Sequence, residues 1–238
     1  MKEKKGLHKK SGGEMSPQKE GHKGKDVTEI ICIIDRSGSM ESIRSDAIGG
    51  FNRFLADQQE PEDPARLTMV LFDDQYEVVH NGADIHTVPL LTNSTFVPRG
   101  MTALLDAIGK TLNTVSARLA EIPANDRPEK IIVAILTDGH ENASREFTLP
   151  VIREMISHYT TDLKWDFIYL AATQDAFGEA GKMGIPADNT MQISASKAGI
   201  QDSYQSISMA MEMKRKYNDI KSWKERTKRD PDPGANSP

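Results

Sequence analysis

The hydrophobic and polar positions follow two alternating patterns from residue 27 onward. Short runs that are almost wholly apolar, such as TEIICIID at 28–35 and IIVAILTD at 131–138, are separated by stretches with apolar residues every three or four positions. The first pattern is typical of a strand covered on both faces, and the second of a helix that packs one face on a sheet. Their alternation predicts an α/β fold with a mostly parallel sheet.

The pattern predicts six strands and five helices. Only Asp74 and Gln75 separate the second strand from the third, and so short a link permits a hairpin but no crossover. We therefore expect a doubly wound, mostly parallel six-stranded sheet with one antiparallel edge strand and helices on both faces. The strands are predicted at 28–35, 66–73, 76–82, 130–137, 165–172 and 190–194, and the helices at 43–54, 102–119, 149–160, 175–183 and 197–217.

Five residues with short oxygen-bearing side chains fall at the ends of these elements. Asp35, Ser37 and Ser39 follow the first strand in the run DRSGSM, Thr102 opens a helix, and Asp138 ends the run IIVAILTD. An open α/β sheet binds its ligands at the carboxyl ends of the strands. Carboxylate and hydroxyl oxygens are ligands that suit Mg²⁺. The pattern therefore predicts one metal site built from three loops.

Each of these residues also has a purely structural interpretation. Asp and Ser are common turn and helix-cap residues, so D-x-S-x-S alone is weak evidence for a metal. Thr102 is placed to cap its helix, and Thr137, Asp138 and Gly139 suit a turn after a strand. The shared edge of the sheet is what favours the metal site.

The runs DRSGSM, GMTALLDAI and LTDGHEN resemble the von Willebrand factor A domain with its metal-ion-dependent adhesion site, over residues 27–215. All five motif positions are present. The resemblance implies a bound Mg²⁺ or Mn²⁺ that takes an acidic side chain of a partner protein. Many members have two glycines before the threonine, whereas this chain has Gly100 and Met101. The expected partner-binding rim consists of Met40, Arg99, Met101, His140 and Glu141.

A non-enzymatic binding module in a regulatory or scaffolding role follows from this resemblance, with no small-molecule substrate implied. Two other classes remain open. A metal-assisted phosphotransferase or phosphatase could use Asp35 as nucleophile, although the dehalogenase-type pattern needs a second aspartate where this chain has Ser37. The basic N-terminal residues could associate with nucleic acid, but they lack arginine and aromatic residues, so this is not expected.

Composition adds a division into three parts. Residues 1–26 hold eight lysines and four acidic residues and are predicted to be a basic, disordered arm, whereas the whole chain of 238 residues has a net charge of −5. Residues 27–217 form the predicted domain, and 218–238 a charged, proline-containing tail. No apolar run has the length of a membrane span, and no apolar stretch follows the first lysines as in a secretory signal. A cytoplasmic location is the expectation.

Overall fold

The computed structural model describes residues 26–194, 196–218 and 220, so the predicted basic arm and nearly all of the predicted tail lie outside the described residues. Strands and helices alternate along this part of the chain, as the hydrophobic pattern predicts. The strands are β1 (Thr28–Asp35), β2 (Ala65–Phe72), β3 (Tyr76–Asp84), β4 (Lys130–Thr137), β5 (Asp166–Ala171) and β6 (Thr190–Gln192). The helices are α1 (Arg44–Gln59), α2 (Leu104–Ala120), α3 (Leu149–Thr161), α4 (Ala176–Met183) and α5 (Lys197–Tyr217).

The six strands form one sheet in the order β3-β2-β1-β4-β5-β6. Every neighbouring pair is parallel except β2 and β3, which are antiparallel as the two-residue link requires. The predicted fold class is therefore confirmed, with the antiparallel strand at one edge. In parallel strands the carboxyl ends share one edge of the sheet, and β1 and β4 lie side by side at its centre.

Two apolar layers cover the faces of the sheet. Along β1, Ile30, Cys32 and Ile34 face a layer that includes α1 and α5, whereas Ile31 and Ile33 face a layer that includes α2, α3 and α4. All five side chains are buried, which explains why β1 reads as a continuous apolar run. Burial also raises the pKa of the Cys32 thiol to about 12, so this cysteine is inert at neutral pH.

The edge strand β3 is irregular. Its pairing with β2 shifts register between Leu67 and Val70, and Gly82 takes a left-handed conformation with φ of +68°.

No helix in the described part of the chain is both long and apolar enough to cross a membrane.

Candidate metal centre

The first loop of the site leaves β1 at Asp35, whose side chain is fully buried. Its Oδ1 accepts a hydrogen bond from the backbone N–H of Ser37 at 2.7 Å, and its Oδ2 accepts one from the hydroxyl of Thr137 at 2.5 Å. Because Thr137 ends β4, the second bond ties the first loop to the neighbouring strand. The carboxylate is therefore held in one orientation at the centre of the sheet edge.

The other predicted ligands lie beside it. The hydroxyl oxygens of Ser37 and Ser39 are 3.0 Å apart, and the hydroxyl of Ser39 donates to Asp138 Oδ1 at 2.7 Å. A Cβ added to Gly139 would stand 3.0 Å from Thr102 Oγ1 and 3.8 Å from Ser39 Oγ. The structure thus brings together the three loops that the sequence analysis assigned to the site.

The second and third loops are joined through the backbone of Thr102. Its N–H donates to the side-chain oxygen of Asn142 at 2.9 Å, and its carbonyl accepts from the N–H of Asn142 at 3.0 Å. Asn142 was not predicted from the sequence as a residue that positions these loops. The only signal was its place in the run LTDGHEN.

Thr102 does not cap α2, so that prediction was wrong. The helix begins at Leu104, its N-cap residue is Ala103, and no side chain of the N-cap accepts a hydrogen bond. Instead, Glu141 accepts from the N–H of Leu105 at 2.9 Å, and Ser144 Oγ accepts from that of Asp106 at 3.0 Å. Because a distant loop supplies the cap, the hydroxyl of Thr102 is available to the site.

The loop before Thr102 departs from the two-glycine pattern without backbone strain. Gly100 has a φ of +64°, and a Cβ there would overlap Asp74 Oδ1, so this position requires glycine. Met101 is not among the residues with positive φ, so a side chain is tolerated there. The unusual methionine therefore replaces the glycine that the backbone does not need.

The two carboxylates are electrostatically uncompensated. Burial raises the pKa of Asp35 to about 6, although hydrogen bonds from Thr137 and Ser37 oppose the shift, and the nearby charge of Asp138 adds to it. Burial also raises the pKa of Asp138, against the hydrogen bond from Ser39. Neither side chain forms a salt bridge within the described residues. A cation at this position would supply the missing positive charge.

The donor set fits a small divalent cation. Two carboxylates and three hydroxyls provide hard oxygen ligands, and they leave coordination positions for water or for a group from outside, as Mg²⁺ prefers. Across the described ranges there is no group of three or more His, Cys, Asp or Glu residues that could hold a metal. Only two of the five predicted ligands, Asp35 and Asp138, are acidic.

Four of the five predicted rim residues have exposed or half-buried side chains, but Met40 does not. Met40 is fully buried in the layer beneath α1, so its assignment to the rim was wrong. It follows Ser39 in a short 3-10 helix (Gly38–Ile43), where successive side chains point in different directions. Met101 is 49% exposed, and the half-exposed Arg99 is hydrogen bonded to Asp73 at 2.9 Å.

The remaining rim residues are bound to other parts of the protein. His140 is exposed, and its Nδ1 lies 2.5 Å from Glu179 Oε1 in α4. The carboxylate of Glu141 accepts hydrogen bonds from the N–H groups of Leu105, Ala143 and Ser144. Glu141 therefore serves mainly to position the third loop on α2.

Buried charged residues that support the loops were not identified from the sequence. Asp73 follows β2 and accepts from Arg36 in the first loop and from Arg99 before the second loop. Asp106 in α2 accepts from three backbone N–H groups of the chain after the third loop. For Asp106 the only signal in the sequence was a polar residue at a core position of a helical pattern. For Asp73 the sequence offered no signal.

We expect Mg²⁺ to stabilise the folded protein. A ligand at about 100 times its Kd adds about 2.7 kcal/mol to the free energy of unfolding. Asp35→Asn should abolish this gain because it removes a buried charge at nearly constant volume. Melting temperatures with Mg²⁺ and with EDTA would measure the effect, and Asp202→Asn on the exposed face of α5 is the matched control. An equal Mg²⁺ shift in Asp35→Asn would contradict the assignment.

The protein is similar to known proteins in fold but not detectably in sequence. No family model matches the sequence, and no curated protein matches it. Solved structures do match: a von Willebrand factor type A protein from Catenulispora acidiphila has a TM-score of 0.52 at 16% identity, covering 77% of this chain and 42% of that one. Proximal thread matrix protein 1 from the mussel byssus, with a zinc-occupied metal-ion-dependent adhesion site, has a TM-score of 0.52 at 15% identity over 78% and 46%.

The pilus adhesin SpaC from Lactobacillus rhamnosus GG gives a TM-score of 0.56 at 14% identity, covering 76% of this chain and 29% of that one. The chain thus spans less than half the length of each of these three structures. In this chain the fold is a six-stranded α/β sheet with one antiparallel strand. The chain therefore has the fold of von Willebrand factor type A domains.

Proposed function

We propose that this chain is a metal-dependent protein-binding module with a regulatory or scaffolding role. Asp35, Ser37, Ser39, Thr102 and Asp138 would hold Mg²⁺ or Mn²⁺, and the exposed edge around them would receive a partner protein. The observation that carries the proposal is the pair of carboxylates that lie among hydroxyls, at the carboxyl ends of β1 and β4, with no basic partner in the described part of the chain.

The geometry of the edge supports access by a partner. Asp35 and Thr102 are buried, whereas Ser39 is exposed and Asp138 is half-buried, so the site opens toward solvent on one side. A bound Mg²⁺ would supply an electrophilic centre with few anionic ligands, to which an Asp or Glu carboxylate of the partner could bind. The protein's own residues fix the loops and exclude water from the inner side.

The fold relatives support this class of function without defining it. One of them carries zinc in its metal-ion-dependent adhesion site, and another is a pilus adhesin. We propose a non-enzymatic role, because Asp35 is fully buried and both of its oxygens accept hydrogen bonds, which is unfavourable for a nucleophile. The cytoplasmic location belongs to the same proposal, and cell fractionation tests it.

Partner capture in the presence and absence of metal tests the proposal. We expect the protein, used as bait in an extract of its native host with Mg²⁺, to retain partners that EDTA releases. Asp35→Ala should lose the same partners, and Asp202→Ala should keep them. Recovery of an unchanged set of partners with EDTA or with Asp35→Ala would contradict a metal-dependent module. Turnover of a phosphate ester that Asp35→Asn abolishes would favour the enzyme instead.

A further inference from the structure

A second surface feature lies at the opposite edge of the sheet from the metal site. A groove of about 500 Å³ runs between the carboxyl ends of α1 and α5, where the chain passes from α1 toward the start of β2. Lys130 at the start of β4 donates to the carbonyl of Arg215 at 2.5 Å, which places the end of α5 at this edge. The residues that line the groove include Asp57, Glu60, Pro61, Asp63, Met209 and Glu212.

The groove is acidic. Lys216 pairs with Glu212 at 2.6 Å, and the carboxylate of Asp57 accepts a hydrogen bond from the hydroxyl of Ser208 at 2.8 Å. The exposed carboxylates of Glu60 and Asp63, by contrast, have no hydrogen bond or salt bridge among the described residues. The groove therefore has carboxylates without a hydrogen-bonded or salt-bridged partner in the described part of the chain, although the charge of Asp63 acts on the neighbouring Arg215.

A buried donor in the wall of the groove also lacks a partner. Arg215 is only 4% exposed, and its terminal nitrogens donate to the carbonyls of Gln58 and Asp63 at 2.7 and 2.6 Å. Its Nε has no hydrogen-bond partner. Because that nitrogen is itself buried, it is not a contact point for a segment that enters the groove, and Arg215 serves as part of the groove wall.

The chain after α5 stays on the apolar layer that α5 forms with α1. After α5, Asn218 takes a left-handed conformation with φ of +53°, and its N–H donates to the carbonyl of Lys214 at 2.9 Å. Ile220 is 2% exposed and belongs to the apolar layer formed with α1 and α5. The chain thus turns back onto this layer at Ile220 instead of leading away from it.

The residues that follow have the composition that the groove requires. Positions 221–229 read KSWKERTKR, with five basic residues and one acidic residue. Trp223 is three residues beyond Ile220, which corresponds to a reach of about 10 Å in extended chain. An aromatic side chain suits the apolar part of the groove at Pro61 and Met209.

We propose that residues 221–229 dock in this groove within the same molecule, with their basic side chains against Glu60 and Asp63 and Trp223 against Pro61. This contact fastens the end of α5 to α1 and does not involve the metal. The lysine-rich residues 1–25 are the competing occupant, because the N–H of Thr28 pairs with the carbonyl of Pro64 at 3.1 Å and so brings the start of β1 close to the groove. They have no aromatic side chain.

Carbodiimide cross-linking of the full chain in EDTA identifies the occupant, because the reagent joins a lysine amine to a carboxylate that it contacts. We expect cross-links from Lys221, Lys224 or Lys228 to the groove acids, mapped by mass spectrometry. A mixture of ¹⁴N- and ¹⁵N-labelled protein distinguishes contacts within one chain from contacts between chains. Cross-links from residues 1–25, cross-links between differently labelled chains, or no cross-link to the groove would each overturn the proposal.

Quenching of Trp223 fluorescence by acrylamide provides an independent measurement. The chain has two tryptophans and Trp165 is buried, so the difference between the wild type and Trp223→Phe isolates Trp223. The double variant Glu60→Lys and Asp63→Lys should raise its quenching constant several-fold. Glu154→Lys with Asp188→Lys changes the net charge equally at exposed positions elsewhere and should leave it unchanged. Equal quenching in the groove variant and the wild type would overturn the proposal, as would a rise in both double variants.

Discussion

Asp73→Ala is expected to lower the free energy of unfolding by about 3–5 kcal/mol, because it removes the buried carboxylate that pairs with Arg36 and leaves that buried charge only the exposed Glu77 as acidic partner among the described residues. Asp73 is fully buried, and its Oδ2 accepts from Arg36 Nε at 3.0 Å and from Arg99 Nε at 2.9 Å. Its Oδ1 accepts from the N–H of Gln75 at 2.6 Å. Burial alone would raise the pKa of Asp73, but the hydrogen bonds from Arg99 and Gln75 and the charge of Arg36 lower it.

Asp73→Ala should lower the affinity for Mg²⁺ as well as the free energy of unfolding. Arg36 follows the proposed ligand Asp35, and Arg99 precedes the second loop, so removal of Asp73 takes away the side-chain contacts of both loops with the end of β2. The backbone bonds from Arg36 to Phe72 and from Ala103 to residue 73 remain. Urea denaturation would give the change in free energy, and Mg²⁺ titration would give the change in affinity. Asp188→Ala, at an exposed position away from these loops, is the matched control. A loss below about 1 kcal/mol, the range of a surface salt bridge, would contradict the role of Asp73.

Asp106→Ala should destabilise the protein by about 3 kcal/mol, since hydrogen bonds to a charged group contribute about 1.5–3 kcal/mol each and the loop can rearrange in part. The carboxylate of Asp106 accepts from the N–H groups of Arg145, Glu146 and Phe147 at 2.9, 2.9 and 2.8 Å. Amide hydrogen exchange should accelerate first at these three residues. Unchanged exchange at these residues would contradict the role of Asp106 in holding this segment. Asp126→Ala, at an exposed position, is the control.

The same substitution carries a pH dependence. Burial would raise the pKa of Asp106, but the three backbone N–H groups and Lys110 lower it below its usual range. A lowered folded-state pKa contributes stability that is present above the unfolded value of about 3.9 and is lost as the pH falls through the folded value. The stability difference between the wild type and Asp106→Ala should therefore be constant above about pH 5 and shrink below about pH 4.

The hydrophobic pattern was sufficient to predict the order and type of the strands and helices, because the residues that each element buries recur at regular intervals along the chain. β4 was predicted at its observed bounds, and the antiparallel pair followed from a link of two residues. The positions of Asp35 and Asp138 could be predicted because strand ends in a parallel sheet share one edge. These inferences need only local pattern and a general rule of topology.

Contacts between distant segments were not predictable in the same way. The cap of α2 comes from Glu141 and Ser144, about 36 residues away, so a local reading favoured Thr102 instead. Met40 was predicted to lie on the exposed rim, but a turn of 3-10 helix directs its side chain into the core. Asp73 lies in a hairpin link, where an aspartate suits a turn, and only the folded structure shows its two arginine partners.

The outer strand β3 bears on how copies of this chain behave when they are crowded together. Fibril growth by addition of strands requires an uninterrupted row of N–H and C=O groups along an edge. Three features of β3 interrupt that row. They are the shifts in its register with β2, the left-handed conformation of Gly82, and the acidic residues Glu77 and Asp84. Strand-to-strand polymerisation is thereby disfavoured at β3, the longer of the two outer strands of the sheet.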